Sequence, residues 1–180
     1  MTRFFKQAAA AIALGALALS VPLGAQPAQA QDDAQEQEVV KATHGAWDVV
    51  CSSTNADQCL MRQVGTTADG KKVLIVRIRK LDGVKTQDGK AVPGAIQIST
   101  PLGTILRAGI QVKIDSGEPR TGAFEFCIPS GCVVRDAMSE PFLANLKAGN
   151  VAKMSFAMLQ QGEVSVDISL KGFTKAFNAL

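Results

Sequence analysis

From about residue 45 onward, apolar and polar positions alternate with a period of two in a series of short stretches. Trp47, Val49 and Cys51 fall on the opposite side from Asp48 and Val50. Leu74, Val76 and Ile78 alternate with Ile75, Arg77 and Arg79, and Ile96 and Ile98 share a face. Ile110, Val112 and Ile114 oppose Gln111, Lys113 and Asp115. This spacing predicts strands with one face buried in an antiparallel sheet. The chain is organised around residues 101–135, PLGTILRAGIQVKIDSGEPRTGAFEFCIPSGCVVR. There the pattern predicts a strand over 110–115, a turn at 116–119, a strand over 122–128, a tight Pro-Ser-Gly turn and a return strand. Residues 59–64 return from the first strand across a Ser/Thr/Asn/Asp-rich loop at 52–57, and 72–80 forms a third strand. Residues 152–160 and 163–170 predict a hairpin around Gln161-Gly162.

The period changes in two places. Ser139 precedes EPFLANLKAG, which carries Pro141 in its first turn, Lys147 in its last and Gly149 just beyond. These are the start and stop signals of one short helix with Phe142, Leu143 and Leu146 on a single side. Phe173, Ala176, Phe177 and Leu180 are spaced for a terminal helical turn or two. The total is eight or nine strands with one or two short helices, without strand–helix alternation. The predicted fold is therefore mainly β, an antiparallel β-sandwich or closed sheet.

The first thirty residues stand apart from this pattern. Arg3 and Lys6 open the chain, an Ala/Leu-rich run follows over 8–19, Pro22 breaks it, and Ala28-Gln29-Ala30 offers small residues for cleavage. Residues 1–30 thus read as a secretory signal peptide, too short and Ala-rich for a membrane anchor. Residues 31–43 read as a flexible acidic leader and 44–180 as a single β-rich domain, placed in the periplasm or at the outer surface. Without Arg3 and Lys6 the formal charge falls from +3 to +1, 17 basic against 16 acidic residues. The basic residues are scattered, Tyr is absent and Trp occurs once, so a nucleic-acid footprint is not expected. No transmembrane helix is expected in the mature chain.

Four cysteines in an exported chain predict two disulfides. Cys51 and Cys59 end and begin adjacent strands, as do Cys127 and Cys132. Hairpin pairing, Cys51–Cys59 and Cys127–Cys132, is preferred over the crossed pairings, which stay open. A redox role lacks the Cys-x-x-Cys spacing, and the single histidine, His44, leaves no mixed Cys/His zinc site. His44 has no acid partner at recognisable spacing, and no Gly-x-Ser-x-Gly elbow is present. Trp47 reads as a core residue because Val49 and Cys51 share its face. Gly103, Gly109, Gly117, Gly122 and Gly131 match turns rather than a phosphate loop. Arg77, Arg79 and Lys80 read first as a solvated strand face, with contact to an anionic surface such as lipopolysaccharide or a host glycan as the functional counterpart.

Several separated motifs together resemble the invasion-associated locus B family of Gram-negative bacteria. They are Gly45-Ala-Trp47-Asp-Val-Val-Cys51 with Cys59, Pro101-Leu-Gly-Thr-Ile-Leu-Arg-Ala-Gly109 leading to Ile114-Asp115, and Phe126-Cys127-Ile-Pro-Ser-Gly131-Cys132. The Leu146-Lys-Ala-Gly149 segment and the ending Leu170-Lys-Gly-Phe173-Thr-Lys-Ala176 complete the match. The resemblance implies a secreted or periplasmic β-rich protein; no enzymatic activity or catalytic residue set comes with it, and no cofactor or metal is expected. The expected function is a non-enzymatic envelope binding module whose partner is an envelope or host-surface protein or glycan, with a link to host-cell invasion carried by the family name. A periplasmic enzyme or redox helper with an unrecognised site is the other reading.

Overall fold

The computed structural model describes residues 38–180 of the chain. The export segment, its cleavage site near Ala30 and the leader up to Gln37 lie outside the described residues. Two antiparallel sheets face each other. The larger runs β1 (Glu38–His44), β2 (Trp47–Ser52), β3 (Cys59–Thr66), β4 (Lys72–Lys80) and β5 (Gly94–Thr100), then β9 (Gly131–Met138) and β8 (Phe124–Ile128). The smaller runs β11 (Gly162–Ser169), β10 (Val151–Met158), β6 (Ile110–Ile114) and β7 (Arg120–Gly122). Helix α1 (Glu140–Ala148) and the short α2 (Phe173–Asn178) complete the described chain.

The alternation seen in sequence becomes the two faces of the larger sheet. Val49, Met61, Ile78 and Ile98 point to the core, where they meet Met154 and Val166 of the smaller sheet. Burial of these large side chains is the main favourable term in folding. Three further contacts close the sandwich along one side. The Gln63 carboxamide on β3 donates to Ser169 O (2.8 Å) and accepts from Ser169 N (2.9 Å), so a side chain bonds β11 as a neighbouring strand would. Trp47 Nε1 donates to the same carbonyl (2.9 Å), and its ring meets Phe173 edge-on at 5.3 Å. The β1–β2 turn packs on the Lys171–Gly172 corner, where a side chain on either Gly45 or Gly172 would overlap the opposing backbone.

The structure departs from the sequence expectations at three points. Residues 38–43, expected in a flexible leader, belong to edge strand β1, which pairs with β2 from Glu38↔Ser52 to His44↔Trp47. A register shift between Val40 and Ala42 breaks the period of two there, and this mostly exposed edge strand has no buried face to enforce it. The single strand expected over 122–128 is two strands, β7 and β8, in different sheets. Gly122 stands at that corner, packed against Val134 and Ile110. With β1 and β7 added, the strands among the described residues number eleven rather than eight or nine.

Helix α1 forms where its signals place it. Ser139 caps it by accepting the Phe142 N–H (3.4 Å), Pro141 occupies the first turn, and Phe142, Leu143 and Leu146 are buried. Cys51 is bonded to Cys59 and Cys127 to Cys132, each across its own hairpin. Ser52 donates to Gln58 O (3.0 Å), which makes Cys51–Cys59 the adjoining non-hydrogen-bonded pair, where Cβ atoms approach most closely.

Candidate functional site on the outer sheet face

The outer face of the larger sheet carries polar and charged side chains from its central strands. Register pairs Arg62 of β3 with Arg77 of β4, Arg77 with Gln97 of β5, and Gln97 with Arg135 of β9. These four residues form one row across four strands. At the usual spacing of about 4.8 Å between strands, the row spans about 14 Å. Like charges directly opposite each other destabilise a sheet. The Arg62–Arg77 pair is relieved by Glu38 from edge strand β1, which lies 2.5 Å from Arg62 Nη1 and 3.4 Å from Arg77 Nε. At the other end, Arg135 Nε lies 3.1 Å from Glu125, and its guanidinium lies over the Phe126 ring at 4.8 Å.

Beside the row runs an open groove of about 340 Å³ lined by Leu60, Arg77, Arg79, Ala95, Gln97 and Arg135, with no carboxylate in its lining. Glu38 and Glu125 make their ion-pair contacts with Arg77 and Arg135 at Nε, on the side of each guanidinium nearer the backbone. Arg79 makes no ion pair among the described residues. Arginine's planar fork of donors is suited to bidentate contact with carboxylate, phosphate or sulfate.

A second groove, of about 320 Å³, lies between the β6–β7 turn and α1 and includes Asp115, Glu118, Arg120 and Asn145. Two of its charged side chains, Asp115 and Arg120, are engaged in the fold. Asp115 accepts the N–H groups of Asn150 (3.0 Å) and Val151 (3.0 Å), and these bonds hold its carboxyl below the usual range. Arg120 lies over the Phe142 ring at 4.4 Å and 3.7 Å from Asp136.

The structure places the other residues singled out in sequence as follows. His44 ends β1 and is half-buried, and its imidazole makes no hydrogen bond or ion pair among the described residues. Trp47 is a core residue. Arg77 and Arg79 point outward as their alternation predicts. Arg62, Arg135 and Gln97 were not singled out, because only the β3–β4 and β5–β9 registers bring them into line with Arg77. Among the described residues no group of three or more His, Cys, Asp and Glu is placed to hold a metal ion.

Comparison with known proteins decides the family. The model described as "Invasion associated locus B (IalB) protein" matches residues 47–180. The chain belongs to the IalB family. The "Invasion protein B homolog" of Brucella abortus (strain 2308) is 31% identical over 170 residues, covering 93% of this chain and 87% of that protein. The "Invasion protein B" of Bartonella bacilliformis is 28% identical over 144 residues, covering 77% and 73% respectively. Among solved structures, the invasion associated protein B of Bartonella henselae superposes with a TM-score of 0.59 at 22% identity, over 77% of this chain and 93% of that one. The IalB fold is thus a mainly β arrangement of two antiparallel sheets. The two disulfides fit an exported IalB protein, and no helix among the described residues is long and apolar enough to cross a membrane.

Proposed function

We propose that this chain is an exported, non-enzymatic binding module of the cell envelope that meets its partner on the outer face of the larger sheet. The observation that supports this reading is the groove in which Arg77, Arg79 and Arg135 converge with no carboxylate in the lining. Arg77 and Arg135 have Glu38 and Glu125 as counter-ions, whereas Arg79 has none among the described residues, and a bound anion supplies one. The Brucella and Bartonella relatives are named as invasion proteins, and the proposal extends that association with host-cell entry to this chain. Export by a signal peptide cut after Ala30 is part of it, so the protein recovered from its host should begin at Gln31; an amino terminus within the first twenty residues would rule that out.

The binding face is tested with a photo-crosslinking side chain at Gln97, in the middle of the arginine row, or at the exposed Ser165 on the outer face of the smaller sheet. Crosslinks to envelope or host-surface material at Gln97 and none at Ser165 are expected. Equal labelling at both positions would count against the outer face as the site. His44→Ala should leave both the fold and the Gln97 crosslinks intact. Loss of the crosslinks in a folded His44→Ala protein would favour an enzyme over a binding module.

A further inference from the structure

The arrangement of groups along the groove narrows the chemistry of what it binds. Each central strand is paired on both sides, β4 between β3 and β5 and β5 between β4 and β9. No backbone edge is free in the groove, so a peptide cannot add there as an extra strand, and recognition falls to side chains alone. Along the row, two arginine forks flank a neutral carboxamide in the order Arg77, Gln97, Arg135. Gln97 can both donate and accept, as a hydroxyl requires, and the two forks can each take an oxyanion. Leu60 and Ala95 add an apolar floor between Arg77, Arg79 and Arg135, of the kind that accommodates the C–H face of a sugar ring. The internal carboxylate of Glu38, held between Arg62 and Arg77, shows that this row already accepts an oxyanion.

We propose that the groove binds a saccharide bearing oxyanions, laid across β4, β5 and β9. Arg77 and Arg135 take charged substituents on either side of Gln97, Gln97 takes a hydroxyl, and Arg79 takes a further charge on the flank. This rests on the binding-face reading and assigns that face its ligand class. Phosphate on a bacterial surface saccharide and sulfate or carboxylate on a host glycan share this chemistry, and the probes separate them.

The test is isothermal titration of the oxidised, exported protein with four probes: a heparin-derived octasaccharide, deacylated lipopolysaccharide core, a neutral dextran octasaccharide and an octaglutamate peptide. One of the two charged saccharides should bind, with affinity falling as salt rises, and the dextran should not. Arg79→Gln should weaken binding about tenfold and Arg77→Gln with Arg135→Gln about a hundredfold, scaled to a charge-assisted hydrogen bond per fork. Lys153→Gln, on the smaller sheet where Lys153 lies 3.6 Å from Asp167, should leave binding unchanged. Arg79 is exposed and makes no ion pair among the described residues, so Arg79→Gln tests the groove even if the double variant folds poorly. Tighter binding of octaglutamate than of either charged saccharide, with the same arginine dependence, would overturn the ligand class and leave the binding face standing. The same holds if neither charged saccharide binds while Gln97 still crosslinks. Saccharide binding indifferent to all three arginines would overturn the groove as the saccharide site, and absent Gln97 crosslinks would remove the binding face itself.

Discussion

Asp115 shows how much one side chain settles locally. It follows β6 and opens the turn with φ +47°, a conformation that Asp and Asn tolerate better than most residues. Its carboxylate gathers the N–H groups that open β10, and those backbone bonds lower its pKa, Asn150 first and Val151 second. A carboxyl whose folded pKa lies below its unfolded value stabilises the fold above the unfolded value, near pH 4, and loses that contribution as pH falls through the lowered one. Asp115→Asn keeps the backbone preference and removes the charge. The melting temperature of the variant should therefore lie below that of the parent at pH 7, with the gap closing under acid. A gap that persisted below the carboxylate range would show that the charge is not what matters. Asp115 was legible in sequence only as an outward strand residue, because its acceptors' partners arrive from Asn150 and Val151, far along the chain.

Among elements, β3 carries the joint between the sheets. Gln63→Leu removes both bonds to Ser169 and should destabilise the protein by about 1–3 kcal/mol, read as a lower urea midpoint. No change would mean that Trp47 alone satisfies the Ser169 carbonyl. The two disulfides staple hairpins that the backbone already pairs, across sequence separations of 8 and 5 residues. Reducing them should cost about 2–3 kcal/mol each while the sheet signal in circular dichroism survives. Strands β4 to β6, β10 and β11 were legible because one face of each is buried, so alternation is enforced. Strand β1 was not, since its bulge interrupts the alternation and the side-chain partners of its Glu38, Arg62 and Arg77, lie far along the chain. The hairpin cysteines and the caps of α1 were legible because both depend on residues close in sequence. The arginine row was only half legible: Arg77 and Arg79 show in their own strand, but Arg135 joins them through the β5–β9 pairing, which no local pattern reveals.

At the scale of the whole molecule, the β1–β2 hairpin and α2 close on each other. Phe173 is fully buried, edge-on to Trp47 and stacked at 6.1 Å on Phe177. Phe173→Ala should cost about 3–5 kcal/mol in chemical denaturation, more than any outer-face arginine substitution. A cost no greater than that of Arg79→Gln would show that α2 is peripheral to the core. The Trp47 indole, early in the folded region, reaches its hydrogen-bond acceptor across 122 positions of sequence. Pairings of such long range are slow to form, because the entropy of closing the intervening chain is lost before the contact is made. A ribosome adds about 5–20 residues each second, so the segment around Trp47 is out for several seconds before Ser169 and Phe173 exist to cover it. Until then the nascent chain has no way to finish its interior. The joint that locks the finished protein is therefore also a delay, keeping its interior open until synthesis of the chain is nearly complete.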